Sequence, residues 1–339
     1  MNKRIFHIPV FVPHKGCPHD CVFCNQHRIT GQIEDMTAGK AKQVIDKHLK
    51  SIESNYQRSE YYAEIAFFGG SFTAIELEIM TELLELAHTY VKDGRADGIR
   101  CSTRPDCINS EVLELCRSYS MTAIELGVQS ADEDVLLASA RGHTFEHTRR
   151  AAEMIHSYGF ELGLQMMTGL PGDTPDKSLR TARLIAELRP KAVRIYPTLV
   201  MEGTHLWDMY AAGDYKPQTV DEAVDLAVQL VKLFKEHDIE ILRIGLQTTD
   251  NVNKSTVIGP YHAAFAELVY GRIARDETES YIVENNIRNC NLKIEVSADR
   301  VSQLIGHKRE NARYFEEKSG TCRLNITDRR KKICLKLVF

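Results

Sequence analysis

Three cysteines, Cys17, Cys21 and Cys24, are the residues whose type and spacing point most directly to chemistry. The segment Cys17-Pro18-His19-Asp20-Cys21-Val22-Phe23-Cys24 reads Cys-x3-Cys-x2-Cys. Three thiolates on one short loop can hold three irons of a cubane and leave the fourth iron without a protein ligand. With His19 or His27 as a fourth ligand, the same thiolates can instead close a structural zinc site. Paired zinc knuckles use Cys-x2-Cys twice, and this cluster does not, which favours iron. The other six cysteines, Cys101, Cys107, Cys116, Cys290, Cys322 and Cys334, are scattered and read as small buried thiols. Nine cysteines without a secretion signal at the start imply a reducing compartment, so a cytoplasmic location is expected.

The cysteine loop has to be carried by elements around it. At 339 residues and 43% apolar composition the chain has room for a large domain and a small one, and no apolar stretch approaches the roughly 20 residues that span a bilayer. No membrane partner is expected. Short apolar runs at Phe6–Val12, Glu64–Phe68, Gly98–Thr103, Ala123–Val128, Glu161–Met167, Ala192–Tyr196 and Glu240–Ile244 predict strands. Between them, amphipathic stretches near 37–53, 76–92, 110–119, 132–139, 145–158, 175–188 and 219–237 predict helices. This alternation makes the chain α/β, with an incomplete, TIM-like (β/α)6 barrel. In such barrels the active groups gather on loops after the carboxyl ends of the strands, and the cysteine loop follows the first strand. Gly69-Gly70-Ser71-Phe72-Thr73, Arg104-Pro105-Asp106, Gln129-Ser130 and Gly169-Leu170-Pro171-Gly172 occupy equivalent places.

After about residue 285 the pattern changes to strand, short helix, tight turn, helix and two strands, giving two domains, 1–285 and 286–339. Residues 286–339 carry 13 Lys and Arg against 6 Asp and Glu, whereas the rest carries 30 against 41. The small domain is therefore basic and the large one acidic.

Cys-x3-Cys-x2-Cys is the defining pattern of radical S-adenosylmethionine (SAM) enzymes, and the chain resembles that superfamily. Gly69-Gly70-Ser71-Phe72-Thr73, Thr103-Arg104-Pro105-Asp106, Glu125-Leu126-Gly127-Val128-Gln129-Ser130, Arg141-Gly142-His143-Thr144, Gly169-Leu170-Pro171-Gly172 and Ile195-Tyr196-Pro197-Thr198-Leu199-Val200 resemble the catalytic subunit of Elongator in particular. The resemblance implies a radical SAM barrel, a 4Fe-4S cluster on Cys17, Cys21 and Cys24, and SAM on the open iron, reductively cleaved to a 5'-deoxyadenosyl radical. It also implies SAM contacts at Gly69, Gly70 and Ser71 for the amino group, Gln129 for the ribose and Arg141 for the carboxylate. Phe23 and Tyr196 would lie beside the adenine. The Gln129 and Arg141 spacing is similar to that of oxygen-independent coproporphyrinogen oxidase as well, where Ser102 and Gln165 fall at positions occupied by acids. Arg104 and Glu125 are expected to form a buried pair beneath the site. His14, Lys15 and His19 flank the cluster as candidate substrate contacts.

Residues 304–320 resemble the helix-turn-helix core of a KH domain, which clamps single-stranded RNA over a Gly-x-x-Gly turn. Here Arg309 replaces the second glycine, and His307, Lys308, Arg309 and Arg313 are the candidate RNA contacts. The chain is expected to lack the acetyltransferase domain of the Elongator subunit. The function that results is modification of a base in RNA, tRNA foremost, with an electron donor such as flavodoxin or ferredoxin and no DNA partner. A radical SAM oxidoreductase of a small metabolite such as a tetrapyrrole, and an RNA-binding iron-sulfur redox sensor, are the alternatives.

Overall fold

Parallel neighbours in a sheet need a crossover of a dozen or more residues, and the chain supplies one between most successive main strands. A computed structural model describes residues 3–12, 19–24, 36–246, 257–284, 292–296, 300–319, 325–328 and 334–337. The strands β1 (Arg4–Val12), β2 (Tyr61–Gly69), β3 (Gly98–Thr103), β4 (Met121–Gln129), β5 (Glu161–Thr168), β6 (Ala192–Pro197) and β8 (Glu240–Ile244) form one parallel sheet in that order. Helices α1 (Ala38–Glu53), α2 (Leu77–Lys92), α3 (Ser110–Ser118), α4 (Glu133–Ala138), α5 (Phe145–Ser157) and α6 (Pro175–Glu187) fill the connections. Between β6 and β8 the chain adds β7 (Val200–Met201), α7 (His205–Ala212) and α8 (Val220–Glu236). Strand order equal to chain order is the order of a barrel wall, so the carboxyl ends of all seven strands share one rim. Thr37, Asn109, Asp132, Thr174 and Thr204 cap α1, α3, α4, α6 and α7 with side-chain oxygens on backbone N–H groups.

Along each strand the two faces differ in kind. Ile8 and Val10 of β1, Leu162, Leu164 and Met166 of β5, and Val193 and Ile195 of β6 are buried apolar residues. Their neighbours His7, Phe11, Gln165, Met167, Arg194 and Tyr196 line a cavity on the inner side. The inner face is charged as well as apolar. Arg100 Nε donates to Glu64 Oε2 at 2.6 Å and Arg100 Nη1 to Glu125 Oε1 at 2.9 Å. Arg194 then donates to both Glu125 oxygens, at 2.6 and 3.1 Å. These side chains come from β2, β3, β4 and β6, and β5 leaves room for them. A Cβ on Gly163 would lie 2.7 Å from Glu125 Cγ.

The expected pair of Arg104 with Glu125 is therefore corrected. Arg104 lies beyond the end of β3, where it grips Asp106 with two N–H groups at 3.0 and 3.1 Å, and Arg100, four residues earlier and still in the strand, reaches Glu125.

By internal contacts the chain divides into two units, Met1–Gln218 with Leu233–Tyr261, and Thr219–Lys232 with His262–Phe339. Strand β9 (Val257–Ile258) pairs antiparallel with β7 in the first. The second contains α9 (Phe265–Glu284), β10 (Leu292–Val296), α10 (Val301–Ile305), α11 (Glu310–Ser319), β11 (Asn325–Asp328) and β12 (Cys334–Leu337). Its sheet runs β11-β10-β12, parallel then antiparallel. Asn311, 3% exposed, holds the turn against α9 by donating to the Gly271 and Gln303 carbonyls. The strand-helix-turn-helix-strand-strand order matches the expected one, while the boundary expected at 285/286 falls outside the described residues. No helix among the described residues is long and apolar enough to cross a membrane.

Burial alone would raise the Glu64 carboxyl, but hydrogen bonding with His7, the charge of Arg100 and the Thr122 hydroxyl overrule it and hold its pKa at about 2. Because the folded value lies below the unfolded one, Glu64 contributes stability that is complete above about pH 4.5 and lost as pH falls toward 2. Glu64→Gln is expected to cost about 3 kcal/mol at pH 7, because Arg100 loses half its compensation. Urea unfolding should show that gap shrinking by roughly 2 kcal/mol at pH 3. A gap independent of pH would contradict the ionised ladder.

Candidate active site

The described part of the cysteine loop, residues 19–24, is pinned from both sides. Val22 N donates to the Ser139 carbonyl at the end of α4 (3.1 Å), and the Val22 carbonyl accepts from Leu206 N in α7 (2.8 Å). Cys24 N donates to the Cys21 carbonyl at 2.9 Å, closing a tight turn. Cys21 is buried and Cys24 half-buried, neither in a disulfide among the described residues, while Cys17 lies outside the described residues, as do His14, Lys15 and His27. Among the described residues no set of three His, Cys, Asp or Glu side chains is gathered as metal ligands.

Two sequence motifs meet at the Cys21 sulfur. Arg141 Nη1 points at Sγ from 3.4 Å and Arg104 Nη1 from 4.0 Å. Arg104, 1% exposed, also donates to the Arg141 carbonyl at 2.6 Å, so residues 103–106 and 141–144 interlock. Beneath them, Asp106 has His19 Nε2 at 3.8 Å and His143 Nδ1 at 3.9 Å. Gly142 is required here, because its φ is +77° and a Cβ would lie 2.4 Å from the His19 ring. Burial first, then the charges of Arg141 and Arg104, push the His143 pKa down to about 3, so its ring is neutral. Asp106 and His143 lie within sequence motifs that by themselves assign neither a role. Their signal was proximity to Arg104 and Arg141, and only the fold joins the two segments.

The expected SAM contacts gather around one cavity of about 550 Å3, with Cys21 and Cys24 in its wall. Gly69, Gly70 and Ser71 enter it from the end of β2. The φ of Gly69 is +117°, a Cβ there would lie 2.4 Å from the Val12 carbonyl oxygen, and Gly70 N donates to that same oxygen at 3.1 Å. Thr73 ties the turn to β3 through the Thr103 hydroxyl at 2.6 Å. Ser102 lines the cavity from β3 and Gln165 from β5. Phe23 and Tyr196 line it too, Phe23 resting on the cluster formed by Val22, Val200, Leu206 and Tyr215.

Gln129 is set apart by its backbone. The pairing of β4 with β5 slips between Gly127 and Gln129, so β4 bulges there, and Gln129 takes a φ of +66°. That conformation costs a non-glycine residue on the order of 1 kcal/mol, and strain of this kind concentrates at functional sites. The bulge turns the Gln129 amide into the cavity, where its Oε1 accepts from Gln165 Nε2 at 3.3 Å. Arg141 spends one terminal nitrogen on Cys21 and the other on the Gly127 carbonyl at 2.7 Å, leaving its buried Nε without a hydrogen-bond partner.

A buried guanidinium nitrogen with nothing to donate to, beside a cavity walled by two thiols, fits an anionic group bound next to an iron-sulfur cluster. Cys21 and Cys24, with Cys17, would hold the cluster, and Arg104 and Arg141 direct N–H groups to the sulfur, as outer partners of metal ligands do. The candidate RNA contacts belong to the second unit. Lys308 (φ +49°) and Arg309 (φ +64°) are exposed on the turn after Gly306, Arg313 donates to the Lys308 carbonyl, and the His307 ring lies 4.7 Å from that of His262. Of the scattered cysteines, Cys101 and Cys116 are buried, and burial pushes the Cys116 thiol up to about 12, whereas Cys107 is half-buried.

Gln129→Gly separates strain from function. The change relieves the positive φ, so the unfolding midpoint should hold or rise. SAM affinity, measured by equilibrium dialysis, should fall about tenfold with loss of the amide. Unaltered SAM affinity would remove Gln129 from the site.

Known proteins similar to this chain point to one superfamily. Residues 11–185 match the model of the Radical SAM superfamily and residues 190–275 that of the Radical_SAM C-terminal domain. An uncharacterized protein of Methanocaldococcus jannaschii is 30% identical over 76% of this chain and 80% of its own length. The tRNA uridine(34) acetyltransferase of the same organism is 25% identical over 65% of this chain, of which the chain spans 47%, about half. Human Elongator complex protein 3 is 32% identical over 40% of this chain and 25% of its own length. In structure, the archaeal Methanocaldococcus infernus Elp3 superposes with a TM-score of 0.64 at 21% identity, covering 88% of this chain and 68% of that one, a likeness of fold. The chain belongs to the radical SAM superfamily and is an enzyme of that superfamily, using a 4Fe-4S cluster and SAM.

Proposed function

We propose that this enzyme modifies a base in RNA, and that its substrate is tRNA. The observation that carries the radical chemistry is the single cavity into which Cys21, Cys24, the Gly69–Ser71 turn, Gln129 and Arg141 all converge. When bound, the reduced cluster and SAM supply a carbon-centred oxidant able to take a hydrogen atom from an unreactive C–H bond. The residues of this chain do the positioning. Gly70 and Ser71 present backbone to the amino group, the Gln129 amide offers donor and acceptor to the ribose, and Arg141 offers Nε to the carboxylate. Phe23 and Tyr196 hold the adenine and Phe11 and Met167 help to keep water out. Support for tRNA comes from the relatives, since several carry the name tRNA uridine(34) acetyltransferase and align with about 60% or more of this chain. The basic turn of the second unit, His307, Lys308, Arg309 and Arg313, suits phosphate contact, each cation adding sequence-independent affinity. An electron donor of the flavodoxin or ferredoxin kind completes the reaction.

Anaerobically reconstituted protein given SAM and dithionite should release 5'-deoxyadenosine, and Cys21→Ala should abolish both the release and the brown absorbance. For the substrate, bulk tRNA binding should weaken linearly in log salt. Replacing Lys308, Arg309 and Arg313 together by Ala should flatten that slope by about 2 and weaken binding roughly tenfold, with SAM cleavage retained. Absence of measurable tRNA binding at low salt would end the RNA reading while leaving the radical chemistry intact.

A further inference from the structure

The two guanidiniums that approach the Cys21 sulfur are anchored differently. Arg141, the residue proposed to meet the SAM carboxylate, is tied on its far side only to the Gly127 carbonyl. Arg104 is tied to a charge. Its Nε and Nη2 grip the two Asp106 oxygens at 3.0 and 3.1 Å, and Nη2 also donates to the Arg141 carbonyl at 2.6 Å. These bonds fix the plane of the guanidinium and leave Nη1 directed at Sγ from 4.0 Å. The surroundings are shielded from water, since Arg104 and His143 are buried and the His143 ring lies with Nδ1 3.9 Å from Asp106. Burial alone would raise the Asp106 carboxyl, but the hydrogen bonds and charge of Arg104 overrule it and hold it below the usual carboxylate range, so the pair is ionic at neutral pH. The potential of an iron-sulfur cluster is set by nearby charge, by hydrogen bonds to its sulfurs and by solvent exposure. An entering electron adds negative charge, so a guanidinium held against a ligand sulfur in a site of low dielectric favours the reduced state.

We propose that Arg104 is a positioning residue for the electron-transfer step, raising the reduction potential of the cluster through the Cys21 sulfur, and that Asp106 both holds Arg104 in place and limits that rise. The assignment rests on the reading that Cys21 is a ligand of the cluster. A flexible arginine would spread its charge over many rotamers, whereas the bidentate grip of Asp106 keeps this one at a single distance from the sulfur. Uptake of one electron from the donor comes before any cleavage of SAM. A residue that sets the potential therefore governs how much of the enzyme stands ready to react.

The test uses anaerobically reconstituted full-length enzyme without SAM, poised with dithionite and redox mediators, with the reduced cluster counted by electron paramagnetic resonance. Arg104→Gln should lower the ratio of reduced to oxidised cluster about tenfold at a fixed solution potential, a shift of about 59 mV for one electron. Arg104→Lys, which keeps the charge but not the fork, should lose less. Asp106→Asn should move the ratio the opposite way, about threefold upward, and the double variant should fall between the two single ones. Opposite signs are the signature of charge, because a structural defect would shift both variants alike or lower the iron content rather than the potential. Equal ratios in the unaltered enzyme and Arg104→Gln, or a fall in Asp106→Asn, would overturn the proposal. Failure of both Arg104→Lys and Asp106→Asn to take up iron would also overturn it, leaving the pair a structural role only. A cubane retained at full iron content in Cys21→Ala would show instead that the sulfur beside Arg104 is not a ligand, so failure of that reading is distinguishable.

Discussion

Glu64, Arg100, Glu125 and Arg194 tie four strands together inside the barrel wall, and the cavity exists because that interior is closed by charge rather than by apolar packing. A parallel barrel with an apolar interior fills itself with layers of branched side chains and becomes a solid core. Here the ladder occupies the floor, satisfied by hydrogen bonds at both ends, and the space above it stays available for ligand. Such a network contributes little net stability after desolvation, yet removing one member leaves a buried charge uncompensated. The absent side chain at Gly163 follows from the same constraint, since any Cβ would displace Glu125.

Above this floor, the cysteine loop gains its place from neighbours far away in sequence. Ser139 and Leu206 hold its backbone, and Arg104 and Arg141 meet at its sulfur. Arg104 is itself fixed by Asp106 and by the Arg141 carbonyl, so one guanidinium couples the loop after β3 to the segment after α4. The bulge in β4 adds the strained Gln129 to the same rim. Strain, orphaned donor and gathered thiols all lie within one pocket, the pattern of a site whose ligands complete it.

Much of this was legible in the sequence, and the parts that were not have specific causes. Strand and helix periodicity located the seven main strands and their crossovers to within a few residues, because the apolar outer face repeats cleanly. The loop motifs contain part of the cavity lining, Gly69, Gly70, Ser71, Arg104, Gln129 and Arg141, whereas the Gly169-Leu170-Pro171-Gly172 loop is not among the lining residues. The pairing of charges was not legible, since Arg100 and Arg104 have the same parity along β3, and only the strand end at Thr103 and the register with β4 decide which reaches Glu125. Strands β7 and β9, two residues each, are too short to show a period, and α7 carries its apolar residues without a strong stripe.

The central claim is that the cysteine loop and the rim loops form one composite pocket in which SAM meets the cluster. The measurement that tests it most directly is electron-nuclear double resonance on the reduced, reconstituted enzyme with SAM labelled with nitrogen-15 at the amino group. The account expects a hyperfine coupling between that nitrogen and the cluster, lost when the cluster is abolished in Cys24→Ala. A reduced cubane that shows no coupling to bound SAM would contradict it.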